Sequence, residues 1–449
     1  MTIVKDKDFY KQLFRLTFPI ILQQLLRISV NTIDSIMIGS IDQVQMSAIS
    51  QANQVFFIFY TMCSGLSVGC CVLVAQYWGK RDRESISTII AHGIRAITLL
   101  GVVVSLIVMS FPEAFMRIYA SDAEIIALGA NYLRKVALMY TACGISVMLF
   151  GASRGVEQVR IILFTNIISY SVNIFLDYAL IFGAFSLPKM GLDGVALGTI
   201  IARYVELIVC GAFFLKDENV PFTFKDLKRS DPSLRKDFLK VSAPIVAHEI
   251  VWSLGTSSCS MITGQLGKSV VAGYNVETVF YDLCASVGNG FNSACSVVIG
   301  TTLGRGEKEK AKEEAKTMLL MALVVGIGLG MVTFFGKEAF LSLYSLDVAA
   351  RAYALQFMNV ISCIWPFSML EMIGMIAILR AGGEGHIGFY TDIVVMWCIS
   401  IPLAAYCAFS LHTEPWIVVA IIKNIIVLEA LVGVARVLSF KWIKDLTRN

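Results

Sequence analysis

The chain has 449 residues, 57% of them apolar and 16% charged, with a mean hydropathy of +0.72. Soluble chains run at about 45–50% apolar and about 25% charged, so both values depart in the membrane direction. A soluble enzyme, a nucleic-acid binder and a disordered scaffold are excluded, and a net charge of +4 calls for no nucleic-acid partner.

About 20 residues cross a bilayer. Apolar stretches of that length fall at 15–39, 52–78, 88–111, 130–152, 160–183 and 192–215. A polar stretch, 216–239, follows, and spans resume at 240–263, 271–303, 317–335, 355–379, 387–409 and 415–438. The basic, then apolar N-terminal stretch lacks a short apolar core followed by a cleavage signal, so it reads as the first span. The expected fold is therefore all-α and membrane-embedded: 12 transmembrane helices in two six-helix lobes, 1–215 and 240–449, joined by a cytoplasmic linker, 216–239. The eleven cysteines fall mostly in apolar runs and read as small hydrophobes rather than as a disulfide scaffold or metal site.

Lys and Arg sort unevenly between the loops. With the N-terminus inside, 25 lie on inner segments and seven on outer ones, and five (Arg27, Arg95, Arg203, Lys423 and Arg436) lie within spans. The positive-inside rule then puts both termini in the cytoplasm of an inner-membrane protein.

An internal repeat runs through the chain. Pro19-Ile20 recurs as Pro244-Ile245, Gly39 as Gly264, Gly65 as Gly290, Glu113-Ala114-Phe115 as Glu338-Ala339-Phe340, and Asp122 as Asp347, always 225 positions apart. Six spans per copy is an even number, so the copies share one orientation, as in transporters built from parallel repeats. That architecture supports alternating access.

Ionisable residues inside spans cost ~2.5–3.5 kcal/mol or more each and mark function by default. Asp34 lies near the outer end of the first span, Asp177 near that of the fifth with Asn173 one turn below it, and Thr199 seven residues into the sixth. At 1.5 Å per residue these groups reach a common depth, about 8–10 Å below the outer boundary. Two carboxylates, an amide and a hydroxyl make a hard oxygen cage for Na⁺. Without a metal, one of two close carboxylates should hold a proton, because like charges repel. At offset 225 Asp34 maps to Cys259, and at offset 226 Asn173 maps to Ile399 and Asp177 to Leu403. A packing requirement should recur in both lobes, and this one does not. In the second half Glu249 and Glu371 share a depth, with Glu277 and Asp282 nearer the middle. These are candidates for coupling or substrate binding, or for structural pairing with Arg203, Lys423 or His248.

Other patterns carry no chemistry. His248-Glu249 begins an H-E-x-x pattern, but Trp252 stands where a second zinc ligand is needed. Gly326, Gly328 and Gly330, like Gly65 and Gly69, read as helix-packing surfaces. The charges of 305–316 read as a solvated face. No Walker sequence or nucleophile–base constellation points to an ATPase or another enzyme.

FPIILQQLL, NTIDSIMIG, GLSVGCCVLVAQYWGKRD, SRGVEQ, NIFLDYALIFG and ILRAGGEG, in this order, resemble the multidrug and toxic compound extrusion (MATE) family. The resemblance covers essentially the whole chain. It implies a V-shaped pair of six-helix lobes and cation-coupled export of bulky, often cationic amphiphiles. Asp34, Asn173, Asp177 and Thr199 match the family's first-lobe cation-site pattern, and the family often places an acid where Glu249 stands. The reading is an exporter of small amphiphilic organic cations, working as a monomer in the lipid bilayer with Na⁺ or H⁺ as coupling ion and no cofactor. The rival is a flippase for lipid-linked saccharides. Its anionic cargo calls for basic residues, whereas the intramembrane acids here are more numerous and deeper.

Overall fold

The computed structural model describes residues 3–39, 43–217 and 222–448. Among these residues the regular structure is entirely helical. Twelve long helices follow in order: α1 Lys7–Gly39, α2 Gln43–Lys80, α3 Arg83–Ser110, α4 Ala123–Gly155, α5 Val159–Phe182, α6 Leu192–Lys216, α7 Pro232–Gly264, α8 Lys268–Gly304, α9 Lys308–Leu341, α10 Val348–Leu379, α11 His386–Phe409 and α12 Pro415–Leu438. Eleven are long and apolar enough to span a membrane. α7 has the length, but Arg235, Lys236, Asp237, Lys240, His248 and Glu249 make it more polar. Large apolar side chains such as Leu99, Ile208, Met261 and Phe335 stay exposed, as expected where lipid tails are the solvent.

The repeat governs where helices begin. α1 and α7 start at 7 and 232, α2 and α8 at 43 and 268, α3 and α9 at 83 and 308, and α4 and α10 at 123 and 348, each pair 225 apart. The start signals recur with them. Asp122 accepts from the Glu124 and Ile125 amides to cap α4, and Asp347 accepts from the Ala350 amide to cap α10. Such caps satisfy amide donors that the first helical turn leaves open.

The chain divides into two compact units, Leu22–Val246 and Met1–Ile21 with Ala247–Asn449. This division differs from lobes of 1–215 and 240–449: the first stretch of α1 belongs with the second half of the chain, and the linker with the start of α7 belongs with the first. The crossing points, Ile21/Leu22 and Val246/Ala247, are themselves 225 apart and follow Pro19 and Pro244, each of which removes a helix hydrogen bond. Repeat-equivalent glycines make room beside each crossing. A Cβ at Gly65 would fall 2.9 Å from Val246 Cα, and one at Gly290 would fall 3.0 Å from the Thr17 carbonyl.

Within the first unit the described part of the linker from 222 onward is docked rather than free. Arg229 pairs with Glu84 at 2.8 Å and Asp226 at 2.6 Å, and the Asp231 carbonyl lies 3.1 Å from His92 Nε2. Despite burial, hydrogen bonds from Thr223 and the Arg229 charge hold the Asp226 carboxyl below its ordinary range. In the second unit Gly326 packs against the Trp365–Pro366 backbone and Gly330 against Ser362, as a packing surface should. The charged run 305–316 is not wholly solvated, because Glu314 is buried beside Thr302 while Lys310 and Lys312 pair with Glu307 and Glu309.

The C-terminal segment is tied to the second unit through Glu384. Glu384, 1% exposed, takes two hydrogen bonds from Arg436 at 2.6 and 2.7 Å and one from Lys444 at 2.7 Å. Hydrogen bonds from Arg436, then Lys444, hold its carboxyl at about 2. An acid lowered on folding stabilises above its unfolded value of about 4.3, and the gain disappears as pH falls toward 2. Glu384→Gln should therefore lower stability by about 1–3 kcal/mol at pH 7, with the difference from wild type vanishing in unfolding scans as pH falls from about 4 to 2.

Candidate functional site

Four helices of the first unit bring the sequence-marked groups together. Asp34 comes from α1, Asn173 and Asp177 from α5, and Thr199 from α6, joined by Tyr132 from α4. Asn173 Nδ2 donates to Asp177 Oδ2 at 3.0 Å, the i,i+4 spacing aligning them on one face. The Tyr132 hydroxyl bonds the Thr199 side chain and lies in the field of both Asp34 and Asp177, which also act on each other. Asp177 is 2% exposed and Asp34 half-buried. Asp34 Oδ1 and Asp177 Oδ1 are both buried without a hydrogen-bond partner. Gly198 lets α6 approach Asp177, because a Cβ there would collide with Oδ1. The cluster thus offers unspent carboxylate oxygens and neutral oxygen donors, chemistry suited to a proton or an alkali cation. Among the described residues no group of three or more His, Cys, Asp or Glu side chains stands ready for a metal ion.

One to two turns deeper on α6, Arg203 Nη1 bonds Glu206 Oε2 at 2.6 Å, and Glu206 is 1% exposed. Tyr60 and Tyr170 lie in the fields of Arg27, Arg203 and Glu206, and Arg203 acts on Asp34. Around this cluster three carboxylates (Asp34, Asp177 and Glu206) therefore lie with two guanidinium groups (Arg27 and Arg203), while Arg95, also within a span of this unit, bonds the Ala91 and Arg229 carbonyls instead.

The second unit separates its four expected acids into two groups. Glu249 pairs with Arg380 at 2.9 Å, and Glu371 lies in the field of Arg380, Asp392 and Glu249. His248 bridges them, with Nδ1 2.8 Å from Arg380 Nη2 and Nε2 3.3 Å from Asp392 Oδ2. Glu429 hydrogen-bonds Asp392. Four carboxyl groups here face one guanidinium and one imidazole. The helices change winding at this place: a π segment begins at Met372, beside Glu371, and another at Asp392. π-Bulges frequently sit at functional sites because they re-aim side chains out of the α register. Glu277 is elsewhere, 3.5 Å from Lys423, while Asp282 is exposed on the same helix.

Tyr132, Glu206, Asp392 and Glu429 join these groups without having been singled out by the sequence pattern. The three acids carry the same signal as the others, since all lie inside spans, and Glu206 follows Arg203 at i+3. Tyr132 carries no such signal.

The MatE family model matches residues 19–179 and 244–406. The chain is 23% identical over 400 residues to the "Probable multidrug resistance protein NorM" of Thermotoga maritima, covering 88% of this chain and 85% of that protein. It is 22% identical over 410 residues to the "Multidrug resistance protein PmpM" of Pseudomonas aeruginosa, covering 90% and 84%. A crystal structure of a mutant of the Vibrio cholerae MATE transporter VcmN superposes with a TM-score of 0.88 at 14% identity, covering 98% of each chain.

Gly198→Ala should push the Asp177 carboxylate aside and weaken stabilisation of the purified protein by its preferred monovalent cation by about tenfold or more. Tyr132→Phe, which removes one hydroxyl, should weaken it by about three- to tenfold. Thermal unfolding against Na⁺ concentration and pH reads both.

Proposed function

The chain belongs to the MatE family, and on that premise we propose that it exports organic cations by alternating access, in antiport with Na⁺ or H⁺ bound at Asp34, Asn173, Asp177 and Thr199. The observation that carries this reading is the pair of buried, unsatisfied carboxylate oxygens on Asp34 and Asp177, ringed by neutral donors. Buried charge persists in a membrane only when balanced. Three acids against two arginines leave one negative charge, which a single monovalent cation neutralises. One coupling cation per cycle at this site follows. Filling the site removes the repulsion between Asp34 and Asp177, so the helices carrying them, α1 and α5, can close on it. When the site empties they repel and reopen.

The Glu249, Glu371, Asp392 and Glu429 group acts as a second proton-binding site. Its four carboxyl groups outnumber its two bases, and the π segments let α10 and α11 shift by a residue when the group's charge changes. The setting is an inner membrane with both termini cytoplasmic, supported by the 25-to-seven distribution of basic residues. Relatives named as multidrug resistance proteins favour drug export over the flippase reading.

In proteoliposomes of defined orientation, export of a fluorescent organic cation should follow an imposed Na⁺ or H⁺ gradient. Asp34→Asn or Asp177→Asn should reduce the rate by about tenfold or more, since each removes one of the site's two charges. Glu371→Gln should shift the pH dependence of export while leaving cation binding at the first-unit site unchanged. Wild-type rates in Asp34→Asn under both gradients would overturn the site assignment.

A further inference from the structure

Glu277 is 1% exposed on α8, and apart from the Lys423 ammonium 3.5 Å away neither carboxylate oxygen has a hydrogen-bond partner. That separation exceeds a hydrogen bond of ordinary length. The ammonium is instead held over two rings, 4.6 Å from the Tyr281 centroid and 5.6 Å from that of Tyr274. Tyr274, Glu277 and Tyr281 follow at i, i+3 and i+7 and so line one face of α8. Their neighbours fix them. Tyr281 stacks on Trp365 at 4.8 Å and 17°, with its hydroxyl 3.3 Å from Ser368 Oγ, and Tyr274 packs edge-on against Phe357. Trp365 and Phe357 are fully buried, so the walls are rigid.

A pair kept only for structure gains most from short, fully hydrogen-bonded geometry, and apolar residues of similar volume commonly replace it without loss. Here a carboxylate with no other donor and two π faces surround an ammonium, the arrangement that recognises alkylammonium ligands. The occupant is the end of a flexible four-carbon stem. Its place in the repeat is informative as well. Lys423 lies eight residues into α12, as Thr199 lies seven into α6, and Cys259 stands where the first half has Asp34. Where the first half carries its oxygen cage, the second half carries a tethered cation.

We propose that Tyr274, Glu277 and Tyr281 form an ammonium-binding site whose resident ligand is the chain's own Lys423, and that the primary ammonium group of a cationic cargo takes the site when Lys423 withdraws. One cation replaces another, so Glu277 is never left bare, and the return of Lys423 expels the cargo. This rests on the organic-cation reading above and names the headgroup that the second unit accepts.

The test uses the full-length protein in detergent, with methylammonium chloride as probe and sodium chloride matching ionic strength. In Lys423→Ala, methylammonium should raise the unfolding temperature saturably, by about 2–4 °C at ten times its Kd. Lys423→Met, whose side chain refills the stem's space, and Lys423→Ala/Glu277→Gln should show no shift beyond the salt control. Folding of Lys423→Ala only when methylammonium is present during preparation is the same dependence in stronger form. A folded Lys423→Ala indifferent to methylammonium, an equal response in the double variant, or failure of Lys423→Ala to fold under any condition while Lys423→Met folds would each overturn the proposal. Because binding is read without transport, a failure of organic-cation export in the wild type is separately visible.

Discussion

Every ionisable group inside a membrane protein has to meet a counter-charge, and this requirement organises both units. In the second unit some counter-charges are built into the chain. Lys423 faces Glu277, and Arg380 faces Glu249 within a group that also holds His248, Glu371, Asp392 and Glu429. In the first unit Arg203 satisfies Glu206, but Asp34 and Asp177 are left with buried, unpartnered oxygens. The deficit of one positive charge lies where neutral donors already point inward. Coupling needs such a site, because a permanently neutral one could not sense a gradient.

The fold serves this arrangement through the repeat. Helix starts and caps recur at 225 residues, and the exchange of half-helices after Pro19 and Pro244 occurs beside Gly65 and Gly290. Each compact unit therefore includes a stretch of chain from the other half of the sequence. Similar scaffolds hold different chemistry: α6 and α12 are the sixth long helices of their halves, yet one presents Gly198 to Asp177 and Thr199 to Tyr132 while the other presents Lys423 to Glu277.

Much of this is legible in the sequence because bilayer thickness, apolar runs and charge asymmetry are strong signals. The spans match the helices within a few residues at most ends, and the common depth of Asp34, Asn173, Asp177 and Thr199 follows from rise per residue alone. Some features lie outside that reach. The division at Ile21 and Val246 depends on which helices pack together, and a hydropathy pattern does not encode packing partners. Tyr132 joins the site through its bond to Thr199, a tertiary contact that no sequence spacing marks. The π segments beside Glu371 and Asp392 have no sequence signature, so the pattern offers His248 as a partner for the second-half acids but does not gather Asp392 and Glu429 with Glu249 and Glu371. Asp392, Glu429 and Glu206 are legible in principle, being acids inside spans.

The central claim is that the cluster of Asp34, Asp177 and Glu206 with Arg27 and Arg203 lacks one positive charge, located between Asp34 and Asp177. The most direct measurement counts bound cations, as radioactive Na⁺ retained plus protons taken up per chain, in wild type and in the Asp34→Asn/Asp177→Asn protein at the same pH. The two should differ by one charge per chain. A difference of none, or of two, would contradict it.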